Sequence, residues 1–416
     1  MDTLMFSTPE NRVRLSRGVS RGDCVRLFSG AAAGRGWWEG LAPDEQFFFK
    51  AVALARLRPD LTLTKLAAAA VLGAKVLRAP GDVTCAAMPG KPVSRGARRG
   101  MKTGALPGHA RLAGRRVTLH SDGSVESARC AAPAARPFRE GPGFTEVACV
   151  CTSPACTIYD VAAAFPLQES LVTINSLLSA HANRHRRLPP DHPWYAKGRS
   201  SAHLNASAVA GILRAKSRSA FLAQAEKYRQ HGLRLERAAE LYAECLDLVW
   251  QNRDRRGVRR ALLALLLATD KCESPGESLC CARFFQDGYA QPVMQPEIYE
   301  EGSGRIRFRA DGAWDLRGGA QQKRRPLEQE LHLTAGRKQI LLFEFDGKIK
   351  YEDARYMNGR DKGSVLEDQI RREEALRGAG YEIVRFSWAD LMEPGAVRGK
   401  LSRFPVPTRR RRPRRR

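Results

Sequence analysis

The chain has 416 residues and a mass of 46.1 kDa, too long for one average domain, which predicts two or three. Its 70 Lys and Arg against 44 Asp and Glu give a formal net charge of +26, and removing the seven arginines of residues 408–416 still leaves +19. This charge predicts nucleic acid as the polyanionic partner. An anionic membrane is disfavoured because no basic helix with an aromatic face stands out.

Targeting and cysteine patterns favour a cytoplasmic protein without membrane association. The amino-terminal segment MDTLMFSTPE has an acid at position 2 and no long apolar run, so no secretory signal is expected. The longest apolar block, residues 261–268, is too short to span a bilayer. The cluster of Cys149, Cys151 and Cys156 lacks a second CxxC motif and paired histidines, so we interpret it as buried thiols rather than a zinc site.

A first block covers residues 1–80. It begins with RVRLSRGVSRGDCVRLF at 12–28, where arginines alternate with apolar residues as in a short basic hairpin. Two helical segments, divided at Arg58-Pro59, are predicted over 44–77.

A second block covers residues 81–268. The Gly, Pro and Arg content of 80–148 is typical of small strands with basic loops or of partial disorder. Helices are predicted from Ser153, a capping residue followed by a proline at the first helical position. The amino-terminal two-thirds is therefore predicted to be a mostly helical α+β region with inserted loops.

A third block, residues 270–392, shows a different pattern, and a basic tail follows at 393–416. A capped helix is predicted at its start, then two strands, a helix and a last strand, at 274–288, 305–316, 339–346, 364–378 and 381–388. This order is typical of an α/β module.

The strand near residue 345 carries unusual charge. Side chains two positions apart share a face of a strand, and four charged residues share one here: Glu344, Asp346, Lys348 and Lys350. Upstream, the predicted strand at 305–316 places Arg309, Asp311 and Asp315 on one face. Gly347 can bend the later strand, so the lysines are placed less firmly than the acids.

Two neighbouring acidic strands would bring like charges together, which is destabilising unless a cation neutralises them. Oxygen-rich carboxylate sites suit Mg²⁺ or Mn²⁺, and a nearby lysine can position water or stabilise phosphate charge. The pattern is therefore consistent with phosphodiester cleavage. On periodicity alone, the favoured interpretation is an edge strand whose solvated charges prevent aggregation.

Four segments closely resemble the carboxyl-terminal endonuclease-like domain of many actinobacterial proteins: SPGES (274–278), RADGAW (309–314), FEFDGKIKY (343–351) and RREEALRGAGYEIVRFSWADL (371–391). That domain is similar to very-short-patch-repair endonucleases of the P-D-(D/E)-x-K nuclease superfamily. The resemblance implies a mixed α/β, restriction-endonuclease-like domain over about 270–392, with metal-dependent nuclease activity.

The resemblance also implies roles for particular residues. Asp311, Glu344 and Asp346 match the metal-binding acids, with Mg²⁺ or Mn²⁺ as the cofactor. Lys350, or else Lys348, matches the basic position that orients water or stabilises developing charge.

Four further residues are weaker candidates for the site. Glu277 matches the glutamate of the family's leading helix, and it also completes a capping box with Ser274. Asp315 has no family counterpart and is a reserve ligand. Arg371 and Arg372 lie on the last helix, where water is the favoured neighbour and a phosphate the alternative.

One segment departs from the family. Residues 318–337 are inserted where the family usually has a tight connection. They could contact DNA through Lys323, Arg324 and Arg325, or they could mark a domain that has drifted from activity.

The amino-terminal region resembles abortive-infection-type antitoxin proteins more faintly, in RLSRGVSRGDCVRL and in residues 58–77 and 150–178. The resemblance implies a winged helix ahead of an α/β domain, and a toxin partner, although the leading recognition helix is short or missing here.

Two functions follow from the sequence. The first is a metal-dependent nuclease that hydrolyses phosphodiester bonds of DNA. The second is a non-catalytic, DNA-binding, antitoxin-like regulator that retains an inactive nuclease fold. The sequence contains no element that distinguishes DNA from RNA.

Overall fold

The computed structural model describes residues 4–88, 100–120, 124–130, 138–141, 143–182, 187–188, 192, 194, 203–299, 306–316, 330–332, 339–347 and 362–408. The chain divides into two compact units. Unit 1 comprises Met1–Ala180 and Leu241–Ala261, and unit 2 comprises His181–Glu240 and Leu262–Arg416. Both contain helices and sheets, which confirms the mixed α/β class. The domain boundaries predicted near residues 80 and 268 stay predictions.

Unit 1 begins with these elements: β1 Leu4–Phe6, α1 Arg12–Arg21, β2 Cys24–Phe28, β3 Ala31–Gly34, α2 Arg35–Glu39, α3 Pro43–Leu57, β4 Leu61–Leu63, α4 Lys65–Val71, β5 Val83–Ala87, β6 Met101–Gly104, β7 Leu112–His120, β8 Val125–Cys130, β9 Phe138–Gly141, β10 Phe144–Thr152, α5 Pro154–Ala164 and α6 Leu167–Ala182. The helices predicted on either side of Arg58-Pro59 and after Ser153 are confirmed, and the described part of 80–148 is confirmed as strands.

Strand β10 is the centre of the main sheet of unit 1. It pairs antiparallel with β7 from Phe144 opposite His120 to Thr152 opposite Leu112, and it pairs parallel with β4. In the described residues the sheet order is β6-β5-β4-β10-β7-β8, with β9 also paired to β10. The thiols of Cys149 and Cys151 on β10 are free and buried, as predicted, and burial raises the pKa of Cys151 to about 12.

The predicted hairpin at 12–28 is wrong, because α1 occupies its first half. Thr8 and Asn11 exchange side-chain and backbone hydrogen bonds of 2.8 and 3.3 Å just before the helix. Gly22, at φ +86°, ends it in the left-handed conformation that glycine favours. Only the second half is a strand, β2, which pairs with β3. The arginines of this segment up to Arg21 therefore lie on a helix, and Arg26 lies on β2.

The remaining elements are α7 Ala206–Leu213, α8 Arg218–Tyr228, α9 Glu236–Gln251, α10 Val258–Leu267, α11 Pro275–Gln286, β11 Val293–Met294, β12 Glu297–Tyr299, β13 Ile306–Arg309, β14 Gly312–Asp315, β15 Glu330–His332, β16 Ile340–Asp346, α12 Lys362–Gly378, β17 Glu382–Ser387, α13 Trp388–Met392 and α14 Ala396–Leu401. The predicted capped helix, the strand near residue 345, the last helix and the last strand are confirmed.

A four-stranded sheet in the described part of unit 2 has the order β11-β14-β16-β17. Strand β16 pairs antiparallel with β14 and parallel with β17. On one face, Phe343 lies 5.2 Å from Phe284 of α11 and 5.4 Å from Trp314, measured between ring centroids. On the other face, Leu342 belongs to a buried cluster with Leu376 of α12. Helices therefore cover both faces, and the sheet order fixes which residues can meet at its edge.

The continuous strand predicted at 305–316 is wrong. It is two strands, β13 and β14, which belong to different sheets, since β13 pairs with β12 and β14 with β16. The chain turns at Ala310-Asp311, where the Gln295 backbone N–H donates to the Asp311 carbonyl oxygen at 3.0 Å. The side chain of Asp311 therefore lies at a junction between sheets rather than on a strand face.

Two sequence features lie mostly outside the described residues. Within the insertion at 318–337, only β15 is described, and Lys323, Arg324 and Arg325 are not. Of the tail at 393–416, residues up to Thr408 are described. Among the described residues, no helix is both long enough and apolar enough to cross a membrane.

Candidate active site

The pairing of β14 with β16 brings two predicted acids together. Gly312 lies opposite Phe343, so the residue before Gly312 and the residue after Phe343 are neighbours at the end of the paired region. There, Oδ2 of Asp311 accepts a hydrogen bond of 2.7 Å from the backbone N–H of Phe345. The predicted adjacency of these strands is therefore confirmed for residues 312–315, and it fixes Asp311 beside Glu344.

A small open cavity of about 180 Å³ contains both carboxylates. The residues that line it are Glu273, Gln295, Arg309, Asp311, Glu344 and Arg372. Three carboxylates and two guanidinium groups give this lining a formal charge of −1. It is a polar site built from the start of α11, the β11–β12 turn, the β13–β14 junction, β16 and α12.

Glu277, in the first turn of α11, caps that helix and also interacts electrostatically with Asp311 of the cavity. Its carboxylate accepts hydrogen bonds from the Ser274 hydroxyl at 2.8 Å, the Glu273 N–H at 3.0 Å and the Gln295 side-chain amide at 2.8 Å. It is only 4% exposed. Burial, together with the charge of Asp311, raises its pKa to about 7 in spite of these donors. The capping interpretation of Ser274 is confirmed, since its hydroxyl accepts from the Glu277 N–H at 3.2 Å.

Glu344 is held by two arginines. It follows Ile340 and Leu342 on the face of β16 that α12 covers, because side chains alternate along a strand. Oε1 lies 2.7 Å from Nη2 of Arg372 on α12, and Oε2 lies 3.5 Å from Nη2 of Arg385 on β17. Burial raises the pKa of Glu344, and the two arginines oppose that change. The expectation that Arg372 faces water is wrong, because the tertiary fold places it against an acid.

The other predicted residues are less central. Asp346 lies 3.2 Å from Nη1 of Arg385 and does not line the cavity, although it shares a strand face with Glu344. Asp315 is 6% exposed at the far end of β14, away from the cavity lining. Lys348 and Lys350 lie outside the described residues. Arg371 is exposed on α12.

Two lining residues, Gln295 and Glu273, could not be identified from the sequence. Gln295 adopts a left-handed φ of +51°, which is costly for a residue other than glycine and is concentrated at functional sites. That conformation lets its backbone bond Asp311 while its side chain bonds Glu277. Glu273 pairs with Arg309 at 2.8 Å. Neither residue belongs to a recognisable motif; the one available signal was the position of Glu273 directly before the Ser274 cap.

The donor set is suited to a hard cation. Among the described residues, no group of three or more His, Cys, Asp or Glu is arranged to hold a metal ion. Magnesium is nevertheless commonly bound through one or two carboxylates with water completing its coordination. Asp311 and Glu344 are two such carboxylates on one cavity, and ionised Glu277 beside them would bring the local formal charge to −2. The residues present therefore fit Mg²⁺ or Mn²⁺.

Comparison of the chain with protein-family models, with curated proteins and with solved structures gave no match. The family resemblances of its two regions therefore stay predictions.

Proposed function

We propose that unit 2 hydrolyses phosphodiester bonds of nucleic acid, DNA before RNA, with Mg²⁺ or Mn²⁺ held by Asp311 and Glu344. One observation carries the proposal: Asp311, at the junction of β13 and β14, and Glu344, on β16, line one cavity. Beside them, burial and the charge of Asp311 raise the pKa of Glu277 to about 7. Perturbed carboxyl groups in a polar cavity are typical of functional sites. The mixed sheet covered by α11 and α12 supports a restriction-endonuclease-like core.

The metal ion would polarise the phosphate and lower the pKa of a bound water. The chain itself supplies orientation. Asp311 is fixed by the Phe345 N–H, and Glu344 by Arg372, so both carboxylates are positioned before a ligand arrives. Arg309 and Arg372 line the same cavity and would contact non-bridging phosphate oxygens, as arginine does through paired donors. Asp346 would act by holding Arg385, and Lys350 or Lys348 by orienting water.

A non-catalytic, DNA-binding regulator with an antitoxin-like role and a toxin partner is the second candidate. A specific observation favours it: the charge of Glu344 is already met by Arg372 at 2.7 Å and by Arg385 at 3.5 Å. Arginines then perform the neutralisation that a metal ion would perform in a nuclease. In that case the cavity is a stable salt-bridge network and the fold serves as a binding surface.

Cleavage assays separate the two candidates. Supercoiled plasmid, linear duplex and single-stranded DNA and RNA would be incubated with the protein in Mg²⁺, Mn²⁺ or chelator. Glu344→Gln and Asp311→Asn keep the side-chain shapes but remove charge, so we expect cleavage to fall by two orders of magnitude or more, about 3 kcal/mol or more of barrier. Glu382→Gln, an exposed acid on β17, is the matched control and should cleave normally.

Absence of metal-dependent cleavage in the wild type would favour the regulator. Cleavage that is undiminished in both Glu344→Gln and Asp311→Asn would place the chemistry elsewhere in the chain.

A further inference from the structure

The turn between α9 and α10, in unit 1, carries an unusual density of positive charge. Five exposed arginines occur in eight residues: Arg253, Arg255, Arg256, Arg259 and Arg260. Asp254 is the one acid among them, so residues 253–260 have a formal charge of +4. We propose that this arginine turn, residues 253–260, binds the phosphodiester backbone of nucleic acid. The proposal rests on nucleic acid being the ligand class, and it does not require hydrolysis.

Buried contacts fix the backbone of the arginine turn. Gly257 has a φ of +90°, and a Cβ there would lie 2.6 Å from the carbonyl oxygen of Ala163, so only glycine fits. Asn252 is buried, and its side-chain amide donates to the Leu248 carbonyl at 2.8 Å. Val258 is also buried. These contacts fix the backbone positions from which the exposed arginines extend, which lowers the entropic cost of binding.

One of the five arginines is itself held in place. The guanidinium of Arg253 lies 4.2 Å from the ring centroid of Trp250, and its Nη1 donates to the Trp250 carbonyl at 3.3 Å. Stacking on an aromatic face orients the planar guanidinium while leaving further N–H donors exposed. This arrangement suits phosphate oxygens, which accept paired hydrogen bonds from arginine.

Charge and surroundings favour nucleic acid over other polyanions. Among the described residues, none of the five arginines forms an ion pair within 4.0 Å, so their charge is available to a ligand. A membrane-binding surface needs exposed apolar side chains beside the charges. The exposed large apolar residues of the described chain are Val13, Val125, Ile370 and Met392, and none is in the turn.

The test compares two triple variants with equal loss of charge. The first is Arg255→Gln, Arg256→Gln and Arg259→Gln, which leaves the Arg253 stack intact. The matched control removes three exposed arginines of α1 by Arg12→Gln, Arg14→Gln and Arg17→Gln. Binding of a fluorescent duplex of about 20 base pairs would be measured by anisotropy at several salt concentrations, in chelator so that no cleavage can occur.

We expect the arginine-turn variant to bind about tenfold more weakly or worse, with the slope of log K against log salt reduced by about 3, roughly one per lost phosphate contact. The α1 variant should stay within about threefold of the wild type. The charge-preserving variant Arg255→Lys, Arg256→Lys and Arg259→Lys should keep most of the salt slope, because lysine also neutralises phosphates. If the glutamine variant does not fold, this lysine variant is measured in its place, and a salt slope reduced as far as predicted for the glutamine variant would contradict the proposal.

Equal losses in the arginine-turn and α1 variants would overturn the proposal, because binding would then depend on total charge. Loss of binding to phosphatidylserine vesicles with unchanged duplex affinity would overturn it in favour of a membrane. A chain that binds through the turn but never cleaves keeps this inference and refutes the proposed hydrolysis, so the two failures are distinguishable.

Discussion

The buried carboxyl group of Glu277 should make the stability of the protein fall as pH rises from about 4.5 to about 7. Its pKa is about 7 in the folded state against an ordinary value of 4.5. Between those values the folded state holds a proton that the unfolded state has lost, so unfolding becomes easier as pH increases. At about 1.4 kcal/mol per pKa unit the effect is worth about 3 kcal/mol, complete above pH 7.

Replacing the carboxyl by an amide tests this directly. Glu277→Gln keeps the shape, can accept from the Gln295 amide and can donate to the Ser274 hydroxyl, but it does not ionise. Urea denaturation of the wild type and the variant at pH 5 and pH 8 gives two differences in the free energy of unfolding. The variant should gain about 3 kcal/mol relative to the wild type between the two pH values.

The two causes of the raised pKa of Glu277, burial and the charge of Asp311, can be separated by substitution. Burial is the larger contribution and Asp311 the next, so Asp311→Asn should lower the folded-state pKa of Glu277. The pH-dependent loss of stability should then end at a lower pH and be smaller in total. Glu374→Gln, an exposed acid on α12, is the control and should leave the profile unchanged. An advantage of Glu277→Gln that is the same at pH 5 and pH 8 would show that Glu277 is ionised throughout, and the reasoning would fail.

Three other expectations concern the two units and the tail. Gly312→Ala would place a Cβ 2.2 Å from the ring of Phe343 and should destabilise unit 2 by about 1–3 kcal/mol in thermal unfolding, whereas Gly378→Ala, with open space around it, should not. Burial lowers the pKa of His231 to about 4 from 6.5. The neutral imidazole therefore contributes about 3 kcal/mol to the free energy of unfolding above pH 6.5, and this contribution is lost as pH falls to 4. A His231→Gln variant should lose less stability over the same pH range. Deleting residues 409–416, which lie outside the described structure and include seven arginines, should weaken binding of all DNA sequences alike and flatten its salt dependence, and equal salt slopes would show that the tail does not contact nucleic acid.

Features with a local cause could be predicted from the sequence. Ser274 and Ser153 each precede a proline, and a serine cap followed by proline at the first helical position is specified within one turn. Strand β16 was predictable because Phe343 and Phe345 alternate with Glu344 over a short apolar run.

Features set by distant contacts could not be predicted. The alternation in RFRADGAWD continues through Ala310-Asp311 without a break, and only the assignment of β13 and β14 to separate sheets divides it. The arginine-rich segment at 12–28 has the same alternation, yet α1 forms there because a turn closed by Thr8 and Asn11 starts it. Arg372 has the sequence context of an ordinary charged helix surface, and its contact with Glu344 depends on how α12 packs on the sheet.

The proton on Glu277 connects the stability of the site to its proposed cofactor. With Glu277 protonated the site has a formal charge of −1, and with Glu277 ionised it has −2, the charge that a divalent cation would balance. If Asp311 and Glu344 hold Mg²⁺, the ion should stabilise the folded state more at pH 8 than at pH 5, because only there does it relieve the repulsion between Glu277 and Asp311. The denaturation series repeated in Mg²⁺ should then show a flatter pH profile for the wild type and little change for Glu277→Gln. Equal stabilisation of both proteins at both pH values would indicate general ionic screening. That result would favour the arginine-neutralised site of the regulator over the metal site of a nuclease.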